Sequence, residues 1–161
     1  MSSGTSDRKA KRSGTVGQPR QRPAAQFPRR NALGRVDSAA ELMGAVVLFV
    51  ALGTILVAAV DGIATLAGRG SFGRVPGWPA AILAVWMFIE EFRAWRIGPA
   101  RIGIALVGAA LGVFGGGLLV AVLDSFRPLF SGALGALLAC LIYASIWFYG
   151  IRLVADRSSK R

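Results

Sequence analysis

Hydrophobic positions in this chain come in blocks rather than in the short alternation of a soluble domain. Leu42–Val60 is 19 residues without a charge, Ile102–Leu123 is 22 and Leu129–Ile151 is 23. A bilayer core about 30 Å thick needs roughly 20 apolar residues as helix, so each block predicts a membrane span. A fourth, weaker block runs from Trp78 toward Ile97 and carries charges at its end, in "WMFIEEFRAWRIGP".

Polar punctuation sets the boundaries. "DSAAELM" supplies a capping box in which Ser38 and Glu41 satisfy each other's backbone N–H groups, so the first helix is expected over 38–66. "GRGSFGRVPGWP" at 68–79 reads as a loop, and Pro79 suits the first turn of a second helix, 78–97, which Gly98 and Pro99 end. The third is expected over 101–124. "DSFRP" turns the chain into the fourth, 128–152. The fold class is therefore an all-α membrane protein: four transmembrane helices in an up-down bundle with a disordered basic N-terminal arm. The domains are 1–36 for the arm, 37–154 for the bundle and 155–161 for a short basic tail. A cleavable secretory signal fits poorly, because the basic arm is too long and no small-x-small site follows the first apolar run.

The charge pattern orients the spans. Sixteen Lys and Arg fall in the arm, the 93–101 turn and the tail, against Arg69, Arg74 and Arg127 on the other face. Positive residues favour the cytoplasm, so both termini are expected there, in a multi-pass protein of the cell membrane. Trp78 and Phe130 are expected at the outer interface, and Trp95 with Trp147, Phe148 and Tyr149 at the inner one.

The second helix is the weak span. Five strongly apolar residues contribute roughly −2 to −3 kcal/mol, whereas two central acids would cost about +5 to +7. Glu90 and Arg93 stand i,i+3 and are expected to pair, while Glu91 points about 100° away, beside Trp95. These charges, with Asp61 at the outer end of the first span, are the candidate charge site. They read as interfacial residues, as a docking surface, or as a proton or ion path.

Composition narrows the chemistry. The chain of 161 residues has no histidine and one cysteine, Cys140, in mid-span. The commonest general base and metal ligand are thus absent, and no disulfide forms. No catalytic set, metal or cofactor is implied. With 16 Arg against 3 Lys and abundant Ala and Gly, the chain resembles small uncharacterised four-span membrane proteins of actinobacteria. That resemblance lies in composition and layout and implies no functional residue.

Small residues mark the packing faces. Gly108, Gly112 and Gly116 form a row on the third span. Gly132, Ala136, Cys140 and Ala144 form one on the fourth, beside Ser131, Gly135 and Ala139. In lipid, close backbone approach drives association, so the two helices are expected to pack on each other, with homodimerisation as the other use of such rows. Gly115–Gly117 is a place for a kink.

The arm holds nine Lys or Arg in residues 1–35 against Asp7, too polar to fold alone. Arg8, Lys9, Lys11, Arg12, Arg29 and Arg30 are its expected contacts with anionic lipid head groups or a protein partner, each cation contributing about 1 kcal/mol near an anionic leaflet. Nucleic acid is disfavoured, since beyond Phe27 no aromatic interleaving offers a stacking platform. The expected function is a non-enzymatic polytopic membrane protein, an accessory or scaffold subunit of a membrane or cell-envelope assembly, binding a membrane protein partner or itself. A small oligomeric channel or ion-coupled transporter using Glu90 and Glu91 is the alternative.

Overall fold

Ala39 opens α1 (Ala39–Leu66), one residue after Ser38. The computed structural model describes residues 28–30, 35–95 and 98–159. Ser38 is the N-cap, as its extended backbone requires, but its side chain makes no capping bond; the expected capping box does not form. The far end closes as a Schellman turn: Gly68, at φ +75°, donates to Thr65 and Arg69 to Ala64.

After the loop, Trp78–Ala81 forms a 3₁₀ turn that leads into α2 (Ile82–Ala94). The second helix is thus shorter than the sequence predicts. It starts as 3₁₀ around Pro79, and it stops at Ala94 because Trp95 turns extended, at φ −101° and ψ 114°. α3 (Ala100–Val122) runs as one helix through Gly115–Gly117. α4 (Pro128–Ser159) continues seven residues beyond the predicted 152, so most of the expected tail is helix.

Three helices, α1, α3 and α4, are long and apolar enough to cross a membrane. Their outward faces are as hydrophobic as their cores. Ile55, Ile63 and Leu66 on α1 and Leu106, Val113, Phe114 and Val122 on α3 are all more than half exposed. Soluble monomers rarely show contiguous apolar surface on this scale; lipid is the solvent such faces require.

α4 is the central helix. One of its faces meets α3 at backbone distance. A Cβ on Gly112 would come within 2.6 Å of the Ala139 carbonyl, and one on Gly116 would collide with that of Gly135. The row that receives α3 is therefore Gly135 and Ala139. The Gly132–Ala136–Cys140–Ala144 row faces the other way, and Cys140 and Ala144 join a core with Leu42, Val46 and Val50 of α1 and Ala84 and Phe88 of α2. Gly132 lies against the backbone of Gly77, and Gly53 of α1 against Ala80. Glycine is needed at both because no side chain fits between the two backbones.

The expectation of a disordered arm falls, for residues 1–27 and 31–34, outside the described residues. It is corrected for those just before α1. Pro28 is buried, Arg30 and Val36 form an isolated antiparallel bridge, and Val36 is 2% exposed within the main core. Burial of Val36 and the contacts of Arg30, Arg35 and the Val36 N–H draw this segment in.

Candidate functional site

Glu91 sits in the last turn of α2 and is 3% exposed. Its Oε1 accepts the Trp95 indole N–H at 3.0 Å and the backbone N–H of Val36 at 3.4 Å. Its Oε2 lies 3.7 Å from the Arg30 guanidinium and makes no hydrogen bond among the described residues. One carboxylate thus joins the end of α2 to the segment that precedes α1.

Four arginines reinforce the junction. Arg35 lies over the Trp95 ring at 4.1 Å and donates to the Ala94 carbonyl. Arg101, at the start of α3, donates to the Trp95 carbonyl at 2.7 Å and stacks on Phe92. Arg152 of α4 packs on Phe148 and donates to the carbonyls of Asp37, at 2.6 Å, and Val36. With Arg30, these bring two cations from the segment before α1 and one each from α3 and α4 to the junction that Glu91 closes. Carbonyls left over where α2 ends and α1 begins are satisfied by guanidinium donors. We call this the arm end.

Glu90 has a different environment. Its carboxylate pairs with Arg93 at 3.2 Å, and both side chains are substantially exposed, at 44% and 72%. Asp61 is at the opposite, loop end, 4% exposed, where its Oδ2 accepts the Gly73 N–H. Gly73, at φ +90°, in turn accepts from Leu129 at the first turn of α4, and Arg127 donates to Phe72. Asp61, expected at an interface, holds the 67–77 loop down onto α1 and α4. The structure therefore does not bring Glu90, Glu91 and Asp61 together.

Aromatic rings are also redistributed. Trp95, Trp147 and Phe148 are interior, not an interfacial belt, whereas Tyr149 is 61% exposed. Trp147 stacks between Phe92, at 5.6 Å, and Tyr143, at 6.2 Å, and Phe88 meets Tyr143 at 4.5 Å. These pairs hold α2 away from α4.

Of the predicted contacts, Arg29 is exposed and Arg30 reaches Glu91; Arg8, Lys9, Lys11 and Arg12 lie outside the described residues. Gly108, Gly112 and Gly116 are buried on the α4 side of α3. Sequence reasoning missed Val36, Arg35, Arg101 and Arg152. "GRV" before the capping residues was the available signal, an apolar residue set beside an arginine just ahead of a helix start. Among the described residues no three His, Cys, Asp or Glu side chains converge. Comparison of the chain with family models, curated proteins and solved structures returned no match.

Proposed function

We propose that this chain is a four-span protein of the cell membrane, with arm and tail in the cytoplasm, acting as a non-enzymatic accessory or scaffold subunit of a membrane or envelope assembly. The reading of α2 as a span is supported by length: the 3₁₀ turn and α2 rise about 28 Å together, close to the hydrocarbon core of about 30 Å. It is supported also by burial of Glu91, which withdraws one of the two acids from lipid. Sixteen positive residues against three then set the orientation, and the helices alternate in direction as an up-down bundle.

The observation that carries the scaffold reading is how the charged groups are engaged. Glu91, Asp61, Arg35, Arg101 and Arg152 are each bound to backbone or an indole within the fold. Among the described residues, the exposed Glu90–Arg93 pair and the apolar helix faces stay available to other molecules, and the basic sequence ahead of residue 28 is the arm proposed to act beside them. The bundle is then a base that fixes the root of a cationic arm at the membrane surface.

Affinity purification from native membranes in mild detergent, followed by mass spectrometry, tests this. A stoichiometric membrane protein partner, lost when residues 2–27 are deleted or when an exposed helix face is altered, is the expected result. Absence of any partner, together with ion flux by the pure protein in liposomes, would overturn it.

A further inference from the structure

α2 and α3 enclose a groove because they stand off α4 by different amounts. α3 lies at glycine distance from α4, whereas the ring pairs Phe88–Tyr143 and Phe92–Trp147 prop α2 away. The resulting space is about 570 Å³, walled by Val85 and Ile89 on one side and Ala109 and Val113 on the other, with Ala136 and Cys140 on its floor. That volume is within the usual range for a single small ligand. It is open to the side and almost wholly apolar, so in a bilayer it fills with hydrocarbon; an empty slot would forfeit dispersion contacts along its whole lining.

Its length and width identify the occupant. The lining runs from Trp78 to Arg93, a rise of about 24 Å. Spread along that length, the space is a narrow slot. A helix is about 10 Å across, so a partner's span does not fit, whereas a single alkyl chain does. The groove is also longer than half the bilayer core of about 30 Å. A chain entering at Arg93 stays inside for the whole depth of its leaflet.

The mouth changes chemistry. Arg93, paired with Glu90, lines it with its side chain 72% exposed, and Arg101, which donates to the Trp95 carbonyl, lies behind it 4.7 Å over Phe92, a lining residue. The Arg101 Nε is buried and has no acceptor among the described residues. The cluster of Arg93, Glu90 and Arg101 leaves a net positive charge at the end of an apolar slot, which matches an amphiphile with an anionic phosphodiester head.

We propose that this groove binds one anionic phospholipid, an acyl chain between α2 and α3 and its phosphate at Arg93 and Arg101. The site rests on the proposed reading of α2 as a span, and not on the orientation of the chain or its partners.

The test uses the full chain in phosphatidylcholine vesicles holding a minor fraction of phosphatidylglycerol with a diazirine in its acyl chain. After irradiation, adducts are mapped by mass spectrometry. They are expected to concentrate on Val85, Ile89 and Val113, with unlabelled phosphatidylglycerol competing better than phosphatidylcholine. Arg93→Gln should weaken that competition about fivefold. Val113→Trp should abolish groove adducts and spare those on Leu106 and Phe114. Adducts spread evenly over Leu106, Phe114, Leu118 and the groove would overturn the proposal, as would equal competition by phosphatidylglycerol and phosphatidylcholine. If Val113→Trp does not fold, the wild-type map and the competition series decide alone.

Discussion

The backbone N–H of Val36 points at the carboxylate of Glu91, 55 positions later in the chain, and the two are 3.4 Å apart in a buried setting. Through that contact the start of the bundle and the end of its weakest helix stabilise each other. Glu91 also receives the Trp95 indole and faces Arg30, so its removal strands several groups at once.

Glu91→Ala should therefore lower thermal stability in detergent markedly, by about 3 kcal/mol or more, the usual scale for deleting one partner of a buried charge pair. Glu90→Ala should change it by less than about 1 kcal/mol, as for other exposed pairs. Limited trypsin digestion gives a second readout: cleavage at Arg30 and Arg35 should accelerate in the Glu91 variant and not in the Glu90 variant. Equal effects of the two substitutions would contradict the distinction drawn between them.

Trp95→Phe keeps an aromatic face beneath Arg35 but removes the indole N–H that Glu91 accepts. A loss of about 1 kcal/mol is expected, the net worth of one such bond. Trp95→Ala should cost more, because the stacking on Arg35 is lost too.

The glycines of α3 divide by what faces them. Gly112→Ala places a Cβ 2.6 Å from the Ala139 carbonyl, whereas Gly117→Ala meets nothing within 4 Å. Overpacking of this kind costs about 1–3 kcal/mol, and Gly112→Leu should disrupt α3–α4 packing outright. Gly117→Ala should be neutral or slightly stabilising, as Ala favours helix by about 1 kcal/mol. Denaturation of the three variants in detergent checks the order.

At the loop end, Asp61→Ala would leave the Gly73 N–H without its acceptor, a loss of about 1–3 kcal/mol. Asp61→Asn retains an acceptor oxygen and should lose less. Hydrogen exchange at residues 67–77 should quicken in the Ala variant while the arm end is unchanged.

These contacts differ in how far the sequence announced them. The i,i+3 pairing of Glu90 with Arg93 and the nearness of Glu91 to Trp95 follow from helical spacing alone. So does the Gly108–Gly112–Gly116 row. Which row of α4 receives it did not follow, because two small-residue rows lie side by side and only the placement of α1 and α2 assigns them. The early end of α2 was hidden for a similar reason. Gly98 and Pro99 are the stronger stop signals, but the bonds that hold Trp95 extended come from Glu91 and from Arg101 on another helix. The contact between Val36 and Glu91 is wholly tertiary, and no local pattern encodes it. Ser38 shows the reverse case, where a capping signature marks the helix start correctly and yet the side-chain bond is not made.

The most direct test of the four-crossing account is the side of the membrane on which the two ends of α2 lie. Cys140 is the only cysteine and is buried, so single cysteines placed at Ser71 and at Ala100 report cleanly against a Cys140→Ala background. With a membrane-impermeant maleimide added to intact cells, Ser71→Cys should be labelled at once and Ala100→Cys only after the membrane is opened. Labelling of both positions from the same side would mean that α2 does not cross, and the account of the bundle would fail with it.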